Sequence, residues 1–406
     1  MARHYSTKNF FRQVPNALLA RYFGARGVLA DVDFCDAKTD ELFAAWLCLP
    51  DQQRNEMDAE LREIFEMGCE KGFRAILDEA SFQLANAPNA RVAFVEKLSA
   101  LANHSERAMV SFLDYREFWL GATRFYHADM LPYWRKRKNF PHVPAAVDQA
   151  SIDGLAQAII GYFFPAEARA RHCVVEAYRR GERDYFFAYP EDYSQQEPEW
   201  VDGKMGRRPH NPAFEVVFVY SQKEGSLDLN FRGTYKAIEP LQARFATTIL
   251  KLPELPPDPR DDRVYDLTPF RRRDFELTYD PGSGIERVVV TKLRLSSRHK
   301  KGDRITLEAD TSENPKAVYD LLEQIVKATP LHRYYVTQVG LSASVVVAAD
   351  KPPKKIAFSI TYPCSCSLKY DGVDLKLRAM LEASGVEPKE PTDEIESDAA
   401  VELIAS

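Results

Sequence analysis

No stretch of the 406-residue sequence approaches the roughly 18 consecutive apolar residues that a membrane-spanning helix requires. The N-terminal stretch MARHYSTKNFFRQVP also lacks the apolar core of a secretory signal. We therefore expect a cytoplasmic protein with no membrane partner, and we interpret the chain as prokaryotic.

Cysteine is scarce as well, because six cysteines in so long a chain do not form a disulfide framework. Cys364 and Cys366 would point to the same face of a strand, which raises the question of a zinc site. Structural zinc sites add a second cysteine pair or histidines, and the nearby candidate here is His332 alone. Buried, reduced thiols are the favoured interpretation, and no metal or cofactor is predicted.

Catalytic motifs are missing too. The sequence has no G-x-S-x-G elbow, no phosphate-binding G-x-x-x-x-G-K-[ST] loop and no G-x-G-x-x-G after a predicted strand. Asp371, Asp374 and Lys376 could form part of a nuclease site, but they begin a predicted helix, where acids act as caps. We therefore favour a non-catalytic protein, and a hydrolase or nuclease with a dispersed active site is the weaker alternative.

The net charge of −6 is concentrated at one end of the chain. From Glu387 onward there are seven acids and one lysine, which sum to −6, so the preceding residues are neutral overall. This segment has little apolar content, and we predict that residues 387–406 form a disordered acidic tail. A tethered polyanion has a high effective concentration, so the tail is a candidate competitor for any basic cluster in the chain.

The periodicity of apolar residues divides the rest of the chain. Residues 1–130 repeat at three- and four-residue spacing, as in Met57, Leu61 and Ile64, which predicts a helical bundle. Residues 131–181 are predicted to form a basic connector and a pair of helices. From residue 182 to 386 the spacing shifts toward two, which is typical of strands.

Three units of a hairpin followed by a helix are predicted in this last region. The hairpins are FEVVFVYSQKEGSLDLNF, ERVVVTKLRLSSRHKKGDRITLEA and ASVVVAADKPPKKIAFSITYP. Each strand alternates and each helix has a single apolar stripe, so the helices should cover a face of an antiparallel sheet. The predicted fold class is α+β, with a helical N-terminal bundle followed by an antiparallel-sheet domain built of three hairpin-plus-helix units.

Residues 194–212 are predicted to be a long polar loop. Loops of this length are usually functional or disordered, so a segment that binds a partner or covers a substrate and a merely flexible segment both remain open. Its chemically distinctive residues are Glu197, Trp200, Asp202, Lys204, Arg207, Arg208 and His210.

Three basic clusters are the candidate binding residues, because cations neutralise phosphates and aromatic rings stack on bases. They are Tyr133, Trp134, Arg135, Lys136, Arg137 and Lys138; Arg271, Arg272 and Arg273; and Arg298, His299, Lys300, Lys301 and Arg304. The structural alternative is that Trp134 anchors the end of a bundle helix and that the cations beside it are a solvated helix end.

These clusters lead to the hypothesis of a binding or regulatory protein that contacts nucleic acid. The alternative is a protein-interaction subunit of a multi-protein prokaryotic complex, which docks through the aromatic surface of its helical domain. Whether the clusters share one face decides between these interpretations.

Overall fold

The computed structural model describes residues 4–132, 134–201, 203–257, 264–300, 302–326, 331–347, 352–370 and 372–387. Tyr133, Asp202, Lys301, Asp371 and residues 388–406 of the predicted tail lie outside this part. The described residues contain twelve α-helices and a ten-stranded antiparallel sheet, which confirms the α+β class and the helical N-terminal region. Within them, no helix has the length and the apolar character needed to cross a bilayer.

Two compact units can be distinguished, and the first contains the described residues of 1–131 together with 176–186. Its helices are α1 Thr7–Gln13, α2 Asn16–Gly24, α3 Thr39–Leu47, α4 Asp51–Met67, α5 Glu70–Gln83, α6 Pro88–Ser99, α7 His104–Asp114 and α8 Arg116–Met130. In α4, Met57, Leu61 and Ile64 form the buried stripe that their spacing predicts. Asn103 accepts a hydrogen bond from the backbone of Glu106 and so caps α7.

A hairpin of two strands, β2 Cys173–Arg180 and β3 Arg183–Pro190, contributes its tip to this first unit. Arg180 is buried at the tip and donates hydrogen bonds of 2.9 Å to both carboxylate oxygens of Asp129. The sequence predicts a second helix at the end of residues 131–181, and this prediction was wrong because Cys173–Arg180 form a strand. The preceding helix ends at Ala168, which adopts a left-handed conformation (φ 55°), and the β-branched and aromatic residues that follow form a strand.

The second unit holds the described residues of 132–175 and 187–406. Its helices are α9 Gln149–Glu167, α10 Ile238–Thr248, α11 Ala317–Val326 and α12 Gly372–Ala383. Its further strands are β1 Trp134–Arg137, β4 Gln195–Val201, β5 Lys204–His210, β6 Val216–Ser221, β7 Ser226–Phe231, β8 Ile285–Ser297, β9 Arg304–Glu308, β10 Tyr334–Val345, β11 Lys354–Thr361 and β12 Ser365–Cys366. The strand order in the large sheet is β2-β3-β6-β7-β1-β12-β11-β10-β8-β9.

The three predicted hairpin-plus-helix units are confirmed. They are β6 and β7 followed by α10, β8 and β9 followed by α11, and β10 and β11 followed by α12. The basic stretch before them forms the short strand β1, which pairs with β7 on one side and β12 on the other. It joins the first hairpin unit to the other two inside the sheet, so it is neither a helix end nor a solvated connector.

Residues 195–210 form a separate two-stranded sheet of β4 and β5, where the sequence predicts a loop. Every residue of β5 is exposed. Because neither face is buried, the strands lack the alternation of apolar and polar residues that identifies a strand in a sequence.

The first hairpin turns at Gly225, whose φ of 57° is left-handed. A Cβ at this position would lie 2.5 Å from the carbonyl oxygen of Phe140. Gly225→Ala should therefore cost about 2 kcal/mol more in the free energy of unfolding than Gly385→Ala, since overpacking adds to backbone strain. Gly385 is a matched control in the same unit, with a φ of 69° and open space around its Cβ position. Chemical denaturation measures both changes, and equal costs would contradict the predicted contact.

Candidate functional site

The half of the sheet formed by β8, β9, β10 and β11 is covered by helices on one face only. Val318 and Leu322 of α11 and Leu377 of α12 share a buried cluster with Leu293 and Val339 of the strands. Along β10, residues that point away from this cluster are partly exposed at alternate positions. The opposite side of these strands, which we call the open face, is therefore accessible.

Cross-strand pairing aligns polar residues on the open face. Directly paired residues of adjacent strands point to the same side of a sheet. One continuous row of such pairs crosses six strands, in the order Thr306, Arg294, Gln338, Thr361, Ser365 and Arg135. The open face thus extends from the edge strand β9 to the central strand β1.

Beyond β1 the same side of the sheet is covered. Arg135 pairs with Leu229, which pairs with Phe218, and the ring of Phe218 stacks on Phe245 of α10 at 5.1 Å. The open face therefore has a defined boundary at Arg135.

Cations are frequent on this face. Three further rows of paired residues lie beside this row on the open face. They are Arg304, Ser296 and Tyr335; Glu308, Lys292 and Gly340; and Arg287, Ser344 and Lys355. The cations of the open face are Arg135, Arg287, Lys292, Arg294, Arg304 and Lys355. Two carboxylates adjoin these residues: Glu308 lies 3.0 Å from Lys292, and Glu286 accepts a hydrogen bond of 3.2 Å from the hydroxyl of Ser344.

Several of these cations have no carboxylate to neutralise them. The Nε of Arg294 is buried and has no hydrogen-bond partner in the described residues. Arg287 and Arg304 likewise form no ion pair with any carboxylate in the part of the chain that the structure describes. Lys355 differs, because hydrogen bonds from Ser312 and the charge of Lys355 together lower the pKa of Asp310. The guanidinium groups of Arg287 and Arg304 are exposed, so these two can form charge-assisted hydrogen bonds with an anion.

Two aromatic rings lie at the margins of the open face. Tyr335 packs edge-on against Tyr362 with ring centroids 5.8 Å apart, and the guanidinium of Arg298 lies 5.9 Å from its ring centre. At the other margin, the guanidinium of Arg135 lies 4.9 Å from the ring centre of Tyr235, which is exposed. Both rings can offer a face for stacking.

The side chain of Lys136 points to the opposite side of the sheet, where it is buried. Its ammonium lies 2.8 Å from a carboxylate oxygen of Glu224 and 2.9 Å from one of Glu387. The phenol of Tyr370 donates a hydrogen bond of 2.6 Å to Asp228, which is paired with Lys136 across the strands. Lys136 is therefore part of an internal network of charges and is not available to a ligand.

Burial alone would lower the pKa of Lys136, but Tyr370 and the carboxylates of Glu387, Asp228 and Glu224 raise it above its usual value. Burial would raise the pKa of Glu387, and Lys136, with Arg378 and Lys138, lowers it below its usual value. Lys136 and Glu387 are thus both charged at neutral pH, and the network stabilises the junction of β1 with the end of the described chain.

The predicted cluster at residues 133–138 is divided between these two environments. Arg135 lies on the open face, whereas Lys136 belongs to the buried network and Lys138 lies 3.7 Å from Glu387. Trp134 is 4% exposed and packs in the core, so it anchors a strand and does not present its ring to bases. Tyr133 lies outside the described residues.

Arg137 shares the side of Arg135 but makes internal contacts. Its guanidinium donates hydrogen bonds of 2.7 Å to the carbonyl of Pro256 and 3.3 Å to the side chain of Gln242. It therefore positions the chain between α10 and β8.

The predicted cluster at residues 271–273 is associated with the helix-covered side. Arg273 forms ion pairs of 2.5 Å with Asp320 and 3.1 Å with Glu323, both on α11. Arg272 lies 3.9 Å from Asp274, and Arg271 is partly buried in a short 3₁₀ turn. The structure does not bring these arginines to the open face.

The third predicted cluster forms the tip of the β8–β9 hairpin. Arg304 and Arg298 adjoin the open face, and Lys300 pairs with Asp303 at 3.5 Å. His299 is exposed in the same tip, and Lys301 lies outside the described residues. Two of the three sequence clusters therefore contribute cations to one surface, and the second does not.

Within the described ranges, the cysteines are not grouped with other metal ligands. Cys366 is buried opposite Trp134, and burial raises the pKa of its thiol. In the described ranges, no three His, Cys, Asp or Glu side chains are placed to hold a metal ion together. No described cysteine forms a disulfide.

Comparison with known proteins gives no assignment, since no protein-family model matches the chain and no curated protein has a significant match to it.

Sequence reasoning missed four cations of the open face, Arg287, Lys292, Arg294 and Lys355. The signal was present in TKLRLSS, where Lys292, Arg294 and Ser296 alternate with leucines. In a half-covered sheet such alternation identifies a polar face, whereas runs of consecutive cations do not.

Proposed function

We propose that the protein is a non-catalytic, cytoplasmic nucleic-acid-binding protein, and that the open face binds single strands with little sequence preference. The observation that carries the proposal is the arrangement of six cations with hydroxyl and amide side chains on one accessible sheet face. Arginine, lysine, serine, threonine and glutamine are the side chains that contact phosphates and sugars.

The width of the open face favours single strands over duplex DNA. Six adjacent strands span about 24 Å at the usual strand spacing. This is about twice the width of the major groove, which admits a helix or a two-stranded ribbon. A single strand can instead lie across the rows of cations, with bases against Tyr335 or Tyr235 at the margins.

Binding of fluorescent 20-nucleotide single strands to the full chain, followed by anisotropy over a range of salt concentrations, tests the proposal. If six cations contact phosphates, the logarithm of affinity should fall with the logarithm of salt concentration with a slope of about −4. A duplex of the same length is the comparison and should bind more weakly. Absence of binding at low salt, or a slope near zero, would rule the proposal out.

A further inference from the structure

The two-stranded sheet of β4 and β5, which we call the ribbon, presents an unusual exposed face. Trp200 is 76% exposed and its cross-strand partner Met205 is 62% exposed. The other three tryptophans, Trp46, Trp119 and Trp134, are at most 4% exposed. The ribbon therefore carries the one indole of the chain that a ligand can reach.

The two faces of the ribbon differ in chemistry. Cross-strand pairing places Trp200 with Met205, Pro198 with Arg207, and Gln196 with Pro209 on one side, which we call the indole face. Among these six described residues there is no carboxylate, and the one charge is the cation of Arg207. The opposite side carries Glu197 and Glu199, and Glu199 lies 3.4 Å from Arg208.

The edges of the ribbon do not favour the addition of another strand. Pro198 and Pro209 lie one on each strand, and each lacks an N–H that a partner strand would need. The indole face has six residues, whereas a stable protein interface uses about 20 to 30 residues a side. It is therefore too small to hold a protein partner or a second copy by itself.

We propose that the indole face is a second contact for the single-stranded nucleic acid bound by the open face, with Trp200 stacked on a base and Arg207 beside it. This inference rests on the proposed function. Indole and guanidinium groups both stack on bases, and the absence of acids on this face suits a polyanion. An isolated two-stranded hairpin is only marginally stable, so such a contact would also order the ribbon.

The test uses the exposure of Trp200 as a readout. With the full chain, saturating 20-nucleotide single strand should reduce the quenching of tryptophan fluorescence by acrylamide, because Trp200 dominates that quenching when free. Trp200→Leu should weaken binding about tenfold, which corresponds to the stacking of one base, and Trp200→Phe should restore most of the affinity. Leu120→Ala, which removes another exposed apolar side chain, is the matched control and should have no effect.

The outcomes separate this inference from the proposed function. If binding depends on salt but leaves the quenching of Trp200 unchanged, the role of the indole face is overturned. The proposed binding of single strands by the open face would then be unaffected. In the absence of oligonucleotide, quenching could instead decrease as the protein concentration rises, together with a doubled mass in solution. That result would show that a second copy of the chain occupies the indole face, and it would also overturn this inference. Absence of any oligonucleotide binding would refute the proposed function itself.

Discussion

Changing Arg287, Arg294 and Arg304 together to glutamine is expected to weaken the binding of single-stranded oligonucleotides about 100-fold at 0.1 M salt. For single strands each phosphate contact contributes about 0.7 to the salt slope, which at 0.1 M salt is roughly fivefold in affinity per cation. Three lost contacts multiply to about 100-fold and reduce the magnitude of the slope by about 2. Anisotropy titrations at several salt concentrations measure both quantities.

The matched control removes the same number of charges from the helix-covered side. Arg271, Arg272 and Arg273 changed to glutamine should leave the affinity and the salt slope nearly unchanged, since Arg273 pairs with Asp320 and Glu323 of α11. Surface ion pairs contribute little to stability, so this variant should also fold. Equal losses in both triple variants would show that total charge matters and that the open face has no special role.

The fold could be predicted from the sequence wherever one face of an element is buried. Strands β8 and β10 alternate because one of their faces packs on a core, and the helices after their hairpins carry apolar stripes. Strand β6 is a continuous apolar run because it is buried along its whole length. Strand β1 could not be predicted, because its four residues are mostly cationic and its partners, β7 and β12, are far away in the chain. Long-range pairing overrides local composition in such short strands.

The cations of the open face were also only partly predictable, because long-range strand pairing places them. Consecutive cations attract notice in a sequence, but adjacent residues of a strand point to opposite faces. In β1 this sends Arg135 to the open face and Lys136 into the buried network. Arg294 and Arg287, which are isolated in the sequence, are placed on the same face as Arg135 only by the register of five strands, from β8 to β1. A site that depends on the register of a sheet can be recognised only after the pairing of its strands is known.

The C-terminal boundary of the folded chain leads to the second large effect. The sequence assigns Glu387 to the acidic tail, yet it is 1% exposed and is held by Lys136 at 2.9 Å. Glu387→Gln should lower the free energy of unfolding by about 3 kcal/mol, because removal of one partner leaves a buried charge undercompensated. Chemical denaturation followed by near-UV circular dichroism measures the change. Glu382→Gln, an exposed change on α12, should stay within about 0.5 kcal/mol of the unmodified protein.

Two truncations and a pH series sharpen this prediction. A chain that ends at Lys389 retains Glu387 and should keep its stability, whereas one that ends at Val386 should lose as much as Glu387→Gln.

Although burial raises the pKa of Glu387, Lys136, Arg378 and Lys138 bring it below the ordinary value of 4.5 in the folded state. The carboxylate therefore contributes its full stabilisation above pH 4.5 and loses it as the pH falls through the lowered folded-state pKa. The difference between the unmodified protein and Glu387→Gln should shrink over that acidic range, and a difference that stays constant there would contradict a charged Glu387 as the source of stability.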